Sequence, residues 1–179
     1  RMGDQSLHAL FRSVGLTGIH PAAVRLNDGR WNEADQSFYF PLKAPTGNTV
    51  GLRKLTHKDG EWKETQVPVS CNAPFGYVFG KKTDTVVLTG STIDALALQS
   101  HTRHQVISLP FETRRLPPEI LPLLETYSRV ILWFRSDGPS WDAVKYFSKK
   151  LGDQRCHYVS PGECSLSPWE AICQSVDVK

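Results

Sequence analysis

Thr85-Val86-Val87-Leu88-Thr89-Gly90-Ser91-Thr92-Ile93-Asp94 joins five β-forming residues, a turn of small residues and the start of an apolar helical run, Ala95-Leu96-Ala97-Leu98. A short strand with no polar alternation is the pattern of a strand covered on both faces, and it predicts a parallel sheet. Downstream the alternation repeats. A helix is expected over Thr92–Ser100, a strand over Gln105–Leu109, a helix over Pro117–Thr126 and a strand over Arg129–Phe134. A helix over Ser140–Leu151, a strand over Arg155–Val159 and a last helix over Pro168–Cys173 complete the series. Apolar strands separated by amphipathic helices predict an α/β domain with a mainly parallel sheet, assigned here to residues 81–179. In such a sheet function gathers at the C-terminal ends of the strands, here around Gly90, Pro110 and Arg135.

Upstream the periodicity differs. Leu7, Leu10, Phe11 and Val14 recur at helical spacing after Asp4, and His20-Pro21-Ala22-Ala23-Val24 opens a second short helix with proline in its first turn. Strands are then expected at Ser37–Leu42, Val50–Leu55 and Trp62–Val67, joined by the turns Ala44–Asn48 and His57–Gly60. Residues 1–80 therefore read as an α+β subdomain of small helices and an antiparallel meander, closed by a Pro/Gly-rich connector from Pro68 to Gly80.

Composition narrows the function classes. The chain has 179 residues, 40% of them apolar, enough for a core, and a formal charge of +3 that permits a local basic face without marking a nucleic-acid binder. Apolar runs such as Val130–Phe134 are far below the roughly 18–20 residues of a membrane span, so no transmembrane segment is expected. Cys71, Cys156, Cys164 and Cys173 include no C-x-x-C pair, which argues against a zinc ribbon and for reduced thiols in an intracellular compartment. Gly90-Ser91-Thr92 lacks the lysine of a P-loop, and no serine sits in a nucleophile elbow.

Thr89-Gly90-Ser91-Thr92-Ile93-Asp94 and Phe134-Arg135-Ser136-Asp137 resemble the two acidic motifs of the TOPRIM domain. The match is to the form carried by phage-type primase-helicases and related mitochondrial replicative helicases. Leu116-Pro117-Pro118-Glu119-Ile120-Leu121-Pro122, Ser140-Trp141-Asp142-Ala143 and Arg155-Cys156 add to that specific match, and the N-terminal half resembles the basic subdomain preceding TOPRIM in this family. The resemblance covers nearly the whole chain. In catalytic members the motifs supply carboxylates that hold magnesium. Here Gly90 takes the glutamate position and Arg135 the first aspartate position, leaving Asp94 and Asp137. A fixed guanidinium repels a divalent cation. The resemblance therefore implies the fold without the primase reaction: no catalytic residue, no metal and no cofactor in this chain.

The resemblance further implies a parent that is an NTP-hydrolysing ring helicase, a homo-hexamer or heptamer that unwinds duplex DNA 5′ to 3′ in the mitochondrial nucleoid of the matrix. Magnesium and ATP would serve a C-terminal helicase domain beyond Lys179. The N-terminal Arg1-Met2-Gly3-Asp4 carries no presequence pattern, so the mitochondrial address is implied by the resemblance alone. The expected partners are single-stranded DNA, neighbouring subunits and that helicase domain.

Arg53, Lys54 and Lys58 are the positions carried over as DNA contacts, with Trp62 nearby for base stacking. Strand alternation puts Arg53 and Lys54 on opposite faces. Arg135 is expected to pair with Asp94 and Asp137 in place of metal, leaving a cationic lip for DNA phosphate. Lys145, Lys149 and Lys150, after Trp141, are expected as a solvated helix face or a contact to DNA or a neighbouring subunit. Two alternatives make different predictions: a scaffold that only packs subunits has no DNA affinity, and an active primase synthesises oligoribonucleotides with magnesium. A doubly wound nucleotide-binding domain would need a better glycine-rich loop than Thr89–Thr92.

Overall fold

The computed structural model describes residues 2–110, 115–135, 138–159 and 164–174. Helix α1 (Asp4–Ser13) buries Leu7 and Phe11, one turn apart on a single face. Helix α2 (Pro21–Leu26) starts on Pro21, whose missing N–H costs nothing in a first turn, and buries Ala23 and Val24. Four antiparallel strands follow in simple order: β1 (Arg30–Asn32), β2 (Ser37–Lys43), β3 (Thr49–Lys58) and β4 (Glu61–Val67). Strand β1 is too short to show alternation, which is why the sequence does not announce it. Phe38, Phe40 and Leu42 of β2 and Leu55 of β3 face inward and are fully buried. Tyr39, Lys54 and Thr65 form one cross-strand row on the opposite face.

The second sheet is parallel, in the order β6-β5-β7-β8, from β5 (Thr85–Thr89), β6 (Gln105–Ser108), β7 (Arg129–Leu132) and β8 (Cys156–Tyr158). All five residues of β5 are buried, as expected of an inner strand covered on both faces. Helix α3 (Thr92–His101) follows β5, and α5 (Gly138–Leu151) links β7 to β8 through a 3-10 turn, Asp153–Arg155. The last helix, α6 (Pro168–Cys173), opens with a capping box between Ser167 and Glu170. The helix expected over Pro117–Thr126 shortens to α4 (Leu121–Leu124). Pro117, Pro118 and Pro122 each lack an N–H donor, so a long regular helix cannot form there. No helix among the described residues is long and apolar enough to cross a membrane.

Alternate residues of the parallel sheet serve two cores. Val86, Leu88, Ile107, Val130 and Leu132 face Val144, Phe147 and Leu151 of α5, with Ile120 and Leu124. Val87 and Val106 face the other way, into a core shared with α3 and with Phe11, Phe38, Phe40 and Leu55 of the N-terminal half. The antiparallel sheet ends with β4 at Val67 and the parallel sheet begins with β5 at Thr85, and this second core is shared by both. Fully burying an aromatic or aliphatic side chain contributes about 1.5–3 kcal/mol. The Phe38, Phe40 and Phe75 cluster, with ring centroids 6.0 and 5.2 Å apart, therefore anchors the connector to the antiparallel sheet.

The connector contributes directly. Phe75 and Ser108 exchange two 2.9 Å backbone hydrogen bonds, so the chain closes the free edge of β6. Gly76 follows at φ +91, and a Cβ there would lie 2.8 Å from the carbonyl oxygen of Val106. Gly76→Ala is expected to lower the unfolding free energy by roughly 1–3 kcal/mol through strain at that φ and contact. Urea denaturation measures it, and an unchanged midpoint would mean that the connector does not hold the edge.

Candidate nucleic-acid interface

Arg53, on the inner face of β3, is fully buried. Its guanidinium donates to Gln66 Oε1 at 2.9 Å, Ser108 Oγ at 3.1 Å, the Leu109 carbonyl at 3.3 Å and Thr92 Oγ1 at 3.5 Å, and lies 3.4 Å from Glu64 Oε1. Burial pulls its pKa down and Glu64 opposes that. Arg53, expected on the DNA track, is thus withdrawn from any surface. The reason is alternation: β3 puts Leu55 and Arg53 on the core face, and only a cluster of acceptors at the junction of β4, α3 and β6 makes that tolerable.

Glu64 of β4 performs a second task. Its two carboxylate oxygens accept from the Thr92 N–H and the Thr92 hydroxyl, both at 2.9 Å. An acid from one sheet therefore caps the helix that follows the first strand of the other. Nothing local in the sequence signals this contact.

Between the sheets, at the C-terminal ends of β5 and β7, lies a cleft of about 440 Å³, bordered by Trp62, Glu64, Asp94, Arg135, Trp169 and Glu170 among others. Gly90 opens the turn after β5, and a Cβ there would already stand 3.2 Å from the Phe134 ring. Asp94 is 5% exposed. It accepts the Ser91 hydroxyl at 2.7 Å and the Trp169 backbone N–H at 2.9 Å, while its own N–H donates to Ser91 Oγ at 3.1 Å. Burial raises its carboxyl above the usual carboxylate range, against the lowering effect of Ser91 and Trp169. Glu170 accepts the Ser167 N–H at 2.8 Å.

Three acids of the cleft, Glu64, Asp94 and Glu170, are thereby tied to backbone amides. No group of three His, Cys, Asp or Glu side chains able to hold a metal occurs among the described residues. The magnesium implied by the TOPRIM resemblance does not fit what is here: glycine at the glutamate position, an aspartate held by amide and hydroxyl donors, and a guanidinium at the mouth. Arg135 is exposed. The expected Arg135–Asp94 pair does not form, because the Asp94 oxygens already have donors and Arg135 points to solvent, without an ion-pair partner among the described residues. Asp137 lies outside the described residues.

Lys54 and Lys58 share the outer face of the antiparallel sheet, opposite the cleft. Lys54 Nζ sits 2.8 Å from Asp35 and 5.3 Å from the centroid of the Tyr39 ring. Asp35, then Tyr39, raise its pKa. Lys58 is exposed at the end of β3, and Lys63 of β4 joins the same face, as does Arg30 of β1. Among the described residues Arg30, Lys58 and Lys63 have no ion-pair partner. Trp62, expected as a stacking platform, is on the inner face; its Nε1 donates to the Val14 carbonyl at 3.2 Å and its ring lies 6.4 Å from Phe38. The four positions expected to contact DNA thus divide: Lys54 and Lys58 outside, Arg135 at the cleft mouth, Arg53 within.

No family model matches the sequence. Solved structures do match the fold. The primase fragment of the bacteriophage T7 primase-helicase is 20% identical, with a TM-score of 0.70 over 89% of this chain and 68% of that one. The zinc-binding and RNA polymerase domains of Aquifex aeolicus primase give 17% and 0.72 over 92% of this chain and 52% of that one. A DnaG primase catalytic domain bound to single-stranded DNA gives 11% and 0.66 over 94% and 69%. The chain has a primase-type fold, an antiparallel subdomain followed by a TOPRIM-like α/β sheet.

Two predictions follow from this geometry. Arg53→Met leaves Glu64 without its cation and is expected to cost roughly 3–5 kcal/mol of stability, part of it recovered in the Arg53→Met/Glu64→Gln double variant. Chemical denaturation of the cycle reads both, and equal losses in single and double variants would remove the coupling. For Asp94 the folded-state pKa lies above its ordinary value near 3.8. Its favourable contribution is complete below that value and is lost as pH rises through the raised one. Calorimetric Tm against pH should therefore show less acid-side gain for Asp94→Asn than for the parent; parallel profiles would contradict the shift.

Proposed function

We propose that this chain is the primase-like, RNA-polymerase-like region of a Twinkle-type replicative DNA helicase of the mitochondrial nucleoid, and that it is catalytically inactive. The observation that carries the reading is the cleft, where Glu64, Asp94 and Glu170 are tied to backbone amides and Arg135 stands at the mouth, in a fold whose relatives include primases. The remaining role is contact with single-stranded DNA and with neighbouring subunits of a hexameric or heptameric ring. Unwinding, with its magnesium and ATP, belongs to the helicase domain of the parent chain. Support for DNA contact comes from Lys54, Lys58, Lys63 and Arg30 on one sheet face, with Arg135 as a separate cation. A DnaG relative captured with single-stranded DNA is consistent with that use of the fold.

Fluorescence anisotropy of a labelled oligothymidylate across a salt series, in magnesium and in EDTA, tests this. Binding is expected to weaken linearly in log salt, to ignore EDTA, and to lose about 0.7 of slope per phosphate contact removed in Lys58→Glu and Lys63→Glu. Primer synthesis is expected to be absent with magnesium and nucleotides. EDTA-sensitive binding or any templated oligoribonucleotide would return the chain to the active primases. Absence of binding at low salt would leave subunit packing as its role.

A further inference from the structure

Helix α5 presents a face that neither the cleft nor the antiparallel sheet accounts for. Its inward side is committed: Ala143, Val144, Phe147 and Leu151 lie in the core against the parallel sheet. The outward side carries Trp141, Lys145 and Lys149 at successive helical turns, about 6 Å apart, flanked by Tyr146 and Lys150. Asp142 is the single acid of this helix, 4.0 Å from Lys145 with both side chains largely in solvent.

Strand β8 extends the same face. By alternation Tyr158 lies on the side of Cys156, which is buried against α5. Beyond that buried layer the Tyr158 ring meets the Trp141 ring edge-on at 5.3 Å. Lys145 Nζ stands 5.7 Å from the Trp141 centroid. Tyr158 is 50% exposed and Tyr146 is 43% exposed. Aromatic rings left half in water beside lysines, with one acid among them, have the composition of a stacking platform with a phosphate track.

We propose that α5 and the end of β8 form a second contact surface for single-stranded nucleic acid. Bases stack on Tyr158, Trp141 and Tyr146, and Lys145 and Lys149 meet the phosphates. The surface is separate from the basic sheet face, since the N-terminal half packs on the opposite side of the parallel sheet and on its β6 edge, away from β8. It rests on the reading above only in taking a single strand as the ligand. A protein partner would more readily match this face with carboxylates, and the test separates that case.

The test is anisotropy of the labelled oligothymidylate with the parent, Tyr158→Ser, Lys145→Glu/Lys149→Glu and, for reference, Lys58→Glu/Lys63→Glu. Tyr158→Ser should weaken binding by about fivefold or more, the lower end of the cost of a lost base–aromatic stack. The lysine pair should lower the salt slope by about 1.4, two single-strand contacts. Photocrosslinking of an iodouracil-substituted strand should label peptides carrying Tyr146 or Tyr158. Loss confined to the Lys58/Lys63 variant, with crosslinks only on the antiparallel sheet, overturns this surface and leaves the proposed function standing. Unchanged binding in the α5 variants with altered self-association by sedimentation also overturns it, in favour of a subunit interface. Loss confined to the α5 variants supports this surface and counts against the sheet face.

Discussion

A single buried guanidinium sets how the two sheets meet. A charge out of water needs acceptors, and the two terminal nitrogens of Arg53 find them on β4, on α3 and at the end of β6, while its buried Nε has no partner among the described residues. Those partners come from stretches of chain 11 to 56 residues away, so satisfying one side chain fixes the antiparallel sheet against the parallel one. Glu64 makes the joint reciprocal by holding Arg53 at one oxygen and the first turn of α3 with both. Phe75, whose ring centroid lies 5.8 Å from the guanidinium, closes the apolar side of the same junction.

The cleft follows from that joint. The fold brings acids to the place where a TOPRIM-type site would gather them, and then gives their oxygens to amide and hydroxyl donors. Asp94 ties α3 to the start of α6 through the Trp169 N–H, so the helix after β5 and the last helix are held together by an acid at the cleft. Groups that elsewhere could serve a cation here hold backbone amides. Positive charge has moved outward in two directions, to the outer face of the antiparallel sheet and to the lip at Arg135. In the proposed function both meet phosphate without a bridging ion.

Much of this was legible in the chain. The β5 run, the helix after it and the last helix are local patterns, and each forms where the residue pattern puts it. The antiparallel meander was equally clear from alternation and turn residues. The prolines around Leu121 were also visible, yet the apolar spacing there suggested a longer helix than three missing donors allow. Gly90 and Arg135 could be placed from the strand pattern at the C-terminal ends of β5 and β7.

What the sequence alone determined, then, is the order and type of elements, because hydrophobic period and turn chemistry act over a few residues. Only the tertiary structure decided what each charge does. Arg53 and Lys54 are neighbours of the same sign, and alternation separates them into two faces without saying which face is buried. Arg53 became a structural joint because acceptors from β4, α3 and β6 converge on it; Lys54 stayed outside with Asp35 and Tyr39. The same holds for Glu64 and Asp94, whose partners are 28 and 75 residues distant. A charge takes its role from the solvent it loses and the partners it gains, and both are properties of the folded chain.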